Sequence, residues 1–421
     1  MVRANIAMTH SASADGDHRL TRGDVVDVEI TAVAHGGVCI GRHEGQVLFV
    51  RHCLPGERVR VRVTDAPKHG RFVRADTESV LRPSADRVIP PCPYAGVCGG
   101  CDWQHASLEA QRALKASVIR ESLVRLGGEA PERWSDLSVE SLPDDDDGLG
   151  WRTRMRFAVT RAGRAGLRRY RSHEVVPVDS CLLATPQIRD LQVFRRDWTG
   201  SREVLAVSPS ASPAIAVPDP QPGRARIQEM VDEHVWRLDA TAFWQVHPKA
   251  PQTFIAAVRE MLQPQAGDHL VDLYAGAGLF AGVLADDVGP SGRIDAIESD
   301  LIAIRAAKRS LHDQPQVTLH ETAVHRWLRS TLVTSCDLVI LDPPRTGAGV
   351  RTMASILSLQ PRAVAYVACD PVALGRDIAA AKQAGWWLAE LRAFDAFPMT
   401  HHVECIALLL PDSSNPSDEL I

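Results

Sequence analysis

Val271-Asp272-Leu273-Tyr274-Ala275-Gly276-Ala277-Gly278-Leu279-Phe280 runs from a short apolar strand through a glycine-rich turn into the start of a helix. Glycines at that point let the backbone approach a ligand at the carboxyl end of the strand, where open α/β sheets bind nucleotides. A Gly-x-Gly pair alone specifies little, so the neighbouring strands must carry the rest of the argument. Apolar runs recur at Leu270 to Leu273, Arg293 to Ile297, Val317 to Leu319, Leu338 to Leu341, Ala363 to Ala368 and Cys405 to Leu410, with helical segments between them. Such alternation implies right-handed βαβ units and a mostly parallel sheet. Residues 241–413 are therefore expected to form a Rossmann-like α/β domain.

Three more strand ends bring chemistry to the same edge. Ile297 is followed by Glu298, placed to accept hydrogen bonds from ribose hydroxyls, although spacing alone leaves it open to being an ordinary loop carboxylate. The third glycine of a dinucleotide fingerprint is missing, which favours S-adenosylmethionine over NAD. Leu341 runs into Asp342-Pro343-Pro344-Arg345, a rigid, donor-poor loop that can set an acid beside a flat polar base. Tyr366-Val367-Ala368 ends on Cys369-Asp370-Pro371, and a cysteine there is either a core residue or, on a turn, a group facing the cleft.

A thiolate beside a methyl donor has a specific use. C5 of uracil is too weak a nucleophile to take a sulfonium methyl group unaided, and thiolate addition at C6 turns C5 into an enolate carbon. The C5 proton must then leave, which requires a general base. Glu404, in Pro398-Met399-Thr400-His401-His402-Val403-Glu404-Cys405, is the best-placed carboxylate, with His401 and His402 as alternative bases or as phosphate contacts.

Together these residues resemble the uracil-5 RNA methyltransferase family over about residues 20–410. The resemblance implies Cys369 as nucleophile, in a Cys-Asp-Pro turn where Cys-Asn-Pro is common, and Glu404 as base. It also implies donor contacts from Gln245, in Phe243-Trp244-Gln245-Val246, and from Tyr274, Glu298 and Asp342, the last also orienting the uracil. Two positions depart from the pattern: Asp370 replaces the common asparagine, and Leu279 stands where some relatives carry an asparagine that can hydrogen-bond the donor.

Elsewhere the 421 residues read as an ordinary globular chain, 45% hydrophobic and 24% charged, which excludes collagen-like, disordered and membrane compositions. No apolar run approaches the roughly 18 residues needed to span a bilayer. Met1 to Asp17 is polar, carries Asp15 and Asp17, and lacks a signal peptide's apolar stretch, so a cytoplasmic protein is expected. The acidic tail Pro411 to Ile421 is expected to be disordered. A net charge of −5 argues against indiscriminate coating of nucleic acid. That sum conceals Trp151 to Val176, expected to form antiparallel strands, where eight arginines stand against one glutamate and favour anion binding.

From Arg22 to Val80, short β-rich runs split by turns predict a small OB-like barrel, with Val59, Val61 and Val63 on one strand face. Arg58, Arg60, Arg62, Lys68, Arg71 and Arg74 are candidate phosphate contacts, a solvated strand face being the alternative. The run Ala34-His35-Gly36-Gly37, Gly41-Arg42, Val47 and Leu54-Pro55-Gly56-Glu57-Arg58-Val59 resembles a TRAM domain, an RNA-binding barrel, here residues 18–82. Ser107 offers an N-cap for a helix over Leu108 to Leu126. Asp144 to Asp147 should form an exposed loop, because four like charges in sequence repel, and Ser208 to Gly223 reads as another loop.

Of nine cysteines, Cys39, Cys53, Cys336 and Cys405 sit among apolar neighbours and read as inert buried thiols. Cys92-x5-Cys98-x2-Cys101 is a poor zinc pattern and differs from the three-cysteine loop of radical enzymes. With Cys181 as fourth ligand, the set resembles the ribosomal branch of the family, which implies a [4Fe-4S] cluster shaping a central α+β domain, residues 83–240. The resemblance points to a monomer that methylates a uridine in 23S ribosomal RNA, with transfer RNA as the alternative substrate. A catalytically silent RNA-binding protein would need neither Cys369 nor Glu404. A DNA cytosine-5 methyltransferase, which pairs the same residue types, would need neither the barrel nor the cysteine set.

Overall fold

The computed structural model describes residues 19–67, 72–330 and 333–414; Met1 to Asp17, Lys68, Arg71 and the tail from residue 415 lie outside them. The chain divides into two compact units, Met1–Ala32 with Val38–Ala85, and Val33–Gly37 with Asp86–Ile421.

In the smaller unit, β1 (Val25–Val33), β2 (Cys39–His43), β3 (Gln46–Arg51), β4 (Arg58–Asp65) and β5 (Phe72–Arg82) close a barrel in the order β1-β2-β3-β5-β4. Alternation works as the sequence predicts: Val59, Val61 and Val63 are buried with Val28, Ile30, Leu48, Val50 and Val73. Closure depends on β5, whose apolar signal is weak because small or polar residues dominate its length. It pairs parallel to β3 and, through bulges, antiparallel to β4. The outward arginines are not a one-signed face. Arg60 Nε lies 2.8 Å from Asp27, Arg62 Nε 2.5 Å from Glu78 and Arg74 Nη1 2.8 Å from Asp65. Exposed pairs are worth only about 0–1 kcal/mol, so phosphate can compete for the same guanidinium groups.

The larger unit opens with α1 (Leu108–Arg125), whose N-cap Ser107 accepts from Ala110 N as predicted. A short β6 (Glu140–Ser141) follows. Then β7 (Arg154–Val159), β8 (Ala165–Arg168) and β9 (Val175–Pro177) form the expected antiparallel strands. After α2 (Pro186–Asp190), β10 (Glu203–Val207) and β11 (Ile215–Pro218) extend that sheet, so the stretch expected as a Ser208 to Gly223 loop contains a strand. β12 (Arg226–Val231) and β13 (His234–Asp239) make a separate hairpin.

Two charge expectations need correction. Asp145 is not on the surface: its side chain is 4% exposed and stands 4.0 Å from His247 Nε2. The four carboxylates diverge, with Asp144 on Lys249 at 2.7 Å and Asp145 Oδ1 accepting from Gly148 N, so the repulsion assumed from sequence is largely avoided. Burial and Asp395 push the Asp145 carboxyl up to about 6. In the arginine-rich strands, Arg154 is structural. Its largely buried guanidinium donates to Ala240 O and Ala242 O and faces Glu229. Arg156 and Arg169 pair with Glu203 and Glu174, leaving Arg161, Arg164, Arg168 and Arg171 as exposed cations.

The main sheet takes α3 (Ala250–Leu262), β14 (His269–Leu273), α4 (Leu279–Val288), β15 (Arg293–Glu298), α5 (Leu301–Ser310), β16 (Val317–Glu321) and α6 (Val324–Trp327). β17 (Leu338–Leu341), α7 (Val350–Leu357), β18 (Ala363–Ala368), α8 (Pro371–Gln383), β19 (Trp386–Asp395) and β20 (Glu404–Pro411) complete it. Strand order is β16-β15-β14-β17-β18-β20-β19-β6, parallel from β16 to β18, with β20 antiparallel to both β18 and β19. Apolar clusters cover both faces. The pattern missed β19, where a register shift between Leu388 and Glu390 breaks the period-2 alternation. β20 and a turn over Asp412–Ser414 order the first residues of the expected tail. No described helix is long and apolar enough to cross a membrane.

Candidate active site

The turn between β14 and α4 has a backbone that only certain residues tolerate: Tyr274, Gly276 and Gly278 have φ of 62°, 58° and 79°. The positive φ at Gly278 favours glycine there, and a Cβ would also come 2.6 Å from Leu311 Cδ1, a side-chain end that could shift to make room. Glu298, at the end of β15, ties this turn down by accepting from Gly276 N at 2.9 Å, and also holds Ser299 N and Asp300 N. The two sequence signals, glycine turn and acid, are thus one hydrogen-bonded unit.

Asp272, inside the glycine-turn motif, is fully buried. Its Oδ2 accepts from Ala281 N in the first turn of α4, while Oδ1 has no hydrogen-bond partner among the described residues. Burial, with Asp342 and Glu298 nearby, raises its carboxyl to about 8. An acid inside an otherwise apolar strand was the signal available for it. Asp342, at the end of β17, is likewise raised to about 7 by burial and by Glu298. The loop after it is pinned from below: Asp377 accepts from Ala348 N and Gly349 N at 2.7 and 3.1 Å, and Tyr366 Oη donates to Asp377 at 2.7 Å. Gln245 is buried, two residues after an exposed Phe243.

Cys369 and Glu404 meet through register. The last rung between β18 and β20 is Ala368 against Cys405, so Cys369 follows the end of β18 next to the start of β20 at Glu404, near enough for the Glu404 carboxylate to act on the thiol. Glu404 is 4% exposed, and burial with Asp342 lifts its carboxyl well above the ordinary range while Arg345 opposes the lift. Burial, then Glu404 and Asp342, push the Cys369 thiol to about 12, again opposed by Arg345. Cys369 shares a pocket with Arg345, Asp370, His401, His402 and Lys115. His402 is lowered to about 3 by burial, His401 and Arg345, which keeps it neutral, with Nε2 3.4 Å from Arg345 Nη2. Lys115 was missed: fully buried, it donates to Asp395 and to Phe397 O. It shares a buried α1 face with Gln111, Val118 and Ser122, and because three of these four are polar, no apolar periodicity in the sequence marked that face.

Cys92, Cys98, Cys101 and Cys181 line one pocket, beside Arg152 and Gln104. Gly100 N points at Cys98 Sγ (3.4 Å) and Gln104 Nε2 at Cys101 Sγ (3.1 Å). Burial pushes the Cys101 thiol to about 12. Among the described residues, no three His, Cys, Asp or Glu side chains are gathered as a site for one metal ion. The chain leaving Cys101 buttresses the segment before Glu404: Asp102 N and Trp103 N donate to Met399 O at 2.9 and 3.1 Å, with Met399 held at φ 65°. Cys39, Cys53, Cys336 and Cys405 are buried, as expected.

Residues 19–76 match the TRAM domain family, and residues 325–411 the tRNA (Uracil-5-)-methyltransferase family. A Streptomyces avermitilis protein described as an uncharacterized RNA methyltransferase is 45% identical over 430 aligned positions, which cover 92% of this chain and 99% of that one. The chain belongs to the RNA methyltransferase family. A Shewanella 23S rRNA (uracil(1939)-C(5))-methyltransferase is 29% identical, with 89% of this chain and 93% of that one aligned. The fold also matches a Pyrococcus abyssi tRNA (uracil-54, C5)-methyltransferase, solved with S-adenosyl-L-homocysteine. The TM-score is 0.65 at 20% identity, over 91% of this chain and 99% of that one. The chain is thus an RNA methyltransferase by family, and its small barrel matches the TRAM domain.

Proposed function

We propose that this enzyme methylates C5 of one uridine in 23S ribosomal RNA, with Cys369 as nucleophile and Glu404 as base. The observation that supports the reading is the β18–β20 register, which ends at Ala368 against Cys405 and so brings the ends carrying Cys369 and Glu404 to neighbouring strands. A flipped uridine in the pocket would take the Cys369 thiolate at C6, pushing the C5–C6 electron pair into a C4 enolate. The donor supplies the methyl group to C5. Glu404 then takes the C5 proton, the C5=C6 bond reforms and the thiolate leaves. Burial that raises the proton affinity of Glu404 makes its carboxylate a stronger base for that last proton. Gln245, Tyr274, Glu298 and Asp342 would contact the donor, and Leu279 would add no polar contact.

The four-cysteine pocket suits a [4Fe-4S] cluster. Cys92, Cys98, Cys101 and Cys181 would hold it through their thiolates. N–H donors to Cys98 and Cys101 are contacts that such clusters use. Bound there, it would supply a crosslink between the segment around Cys92 to Cys101 and Cys181. Methyl transfer is redox neutral, so Asp102 and Trp103 need only pass on that rigidity to Met399. Iron and sulfide content of anaerobically purified protein decides this point, zinc without iron rejecting it.

The ribosomal substrate is favoured by the Shewanella relative's activity, transfer RNA by the family match at residues 325–411. A cytoplasmic monomer suits either. Mapping 5-methyluridine by mass spectrometry in both RNAs, with and without the gene, separates them. Cys369→Ala should abolish methylation and the covalent complex with 5-fluorouridine RNA, whose C5 fluorine cannot leave as a proton. Full activity of that variant would overturn the mechanism.

A further inference from the structure

Asp370 directly follows the proposed nucleophile. Its Oδ1 accepts from Ala373 N at 2.9 Å, capping α8, and its Oδ2 lies 3.3 Å from His35 Nε2. His35 belongs to Val33–Gly37, the short segment grouped with the larger unit. Trp103 Nε1 donates to Gly37 O at 3.0 Å, and Gly37 fits so closely that a Cβ there would stand 2.7 Å from His401 Cβ. Ala34 to Gly37 consequently line the same pocket as Cys369.

We propose that His35 is a positioning residue of the methylation reaction, pairing with Asp370 so that the carboxylate beside Cys369 is neutralised and the thiolate can form. The inference rests on Cys369 being the nucleophile. The charged groups acting on Cys369 are Glu404, Asp342 and Asp370, all acids, against one cation, Arg345. An uncompensated Asp370 adds to the repulsion a thiolate feels, whereas an asparagine there needs no partner. The groups acting on His35 are Asp370 and Arg345, and the hydrogen bond to Asp370 raises its affinity for a proton despite burial. Burial raises the Asp370 carboxyl, but His35 and the Ala373 N–H bring it below the ordinary range. His35 is therefore the group that titrates. The pair is complete at low pH and is lost as pH rises through the raised histidine value.

The test is alkylation of Cys369 by iodoacetamide in the full-length protein without RNA, read at the Cys369 peptide by mass spectrometry from about pH 6 to pH 10. His35→Gln should react about three- to tenfold more slowly near neutrality, the gap closing at high pH where wild-type His35 is also neutral. Asp370→Asn, which keeps the helix cap, should lose the histidine step from the pH profile. The double variant should react within about twofold of Asp370→Asn. A His35→Gln rate equal to wild type, a gap that persists at high pH, or a double variant as slow as His35→Gln overturns the proposal. Methylation by Cys369→Ala tests the nucleophile separately, since alkylation needs no catalysis.

Discussion

One sheet carries two sets of buried acids with opposite fates. At the carboxyl edge, Asp272, Asp342 and Glu404 are raised by burial, Asp272 to about 8 and Asp342 to about 7, because they mostly face one another. Asp295, on β15, is 13% exposed at its side chain and is also penalised by burial. Yet its carboxyl falls below the ordinary range. His269 Nε2 and His320 Nε2 meet its two oxygens at 2.8 and 2.7 Å, and Arg293 backs His269 at 2.9 Å. Burial alone therefore does not decide a carboxylate's state. An edge that leaves acids in want of partners is where a ligand or a proton can supply them.

Glu404→Gln should break the comparison most visibly in activity. The amide cannot take the C5 proton, so turnover should fall by about 10²–10⁴-fold. The RNA adduct should accumulate on denaturing gels as a methylated, covalently held species. The amide is isosteric with the carboxyl group and, being neutral, carries no burial penalty of the kind that lifts the Glu404 carboxyl, so the fold should stay intact. A variant that turns over normally would move the base to another residue.

Asp295→Asn should reverse that outcome, with catalysis per folded molecule preserved and stability lost. Two imidazoles lose a buried anionic acceptor, at a cost of about 2–3 kcal/mol in denaturant unfolding near neutrality. The sign follows from a depressed folded value. The contribution is present above the unfolded carboxylate range and fades as pH falls through the lower folded value, so the gap between variant and wild type should shrink below about pH 4.

The carboxyl-edge chemistry was legible because each group sits at the end of an apolar run, where a strand's length and direction fix its position. Cys369 and Glu404 needed only that β18 and β20 be neighbours. The Asp295 trio was not legible, since its members lie on β14, β15 and β16 and meet only after the sheet has assembled. Asp145 escaped for a different reason. A run of like charges says nothing about which side chain turns inward, and His247 lies about a hundred residues away in sequence. β5 and β19 escaped because small residues and a bulge weaken period-2 alternation.

Asp272→Asn is the smallest effect and the sharpest test of the contrast, being the same substitution in the same sheet as Asp295→Asn. Protonated Asp272 and asparagine are nearly isosteric, and either oxygen can accept from Ala281 N. The change in stability near pH 5 should stay within about 1 kcal/mol. The sign now runs the other way. A carboxyl whose folded value is raised destabilises the fold increasingly as pH climbs from the unfolded value toward about 8, because unfolding releases the proton. Denaturant melts at pH 5 and pH 8 should therefore move in favour of the asparagine variant at the higher pH. If both variants lose stability equally at both values, Asp272 is ionised and partnered like Asp295, and the contrast between the two regions collapses.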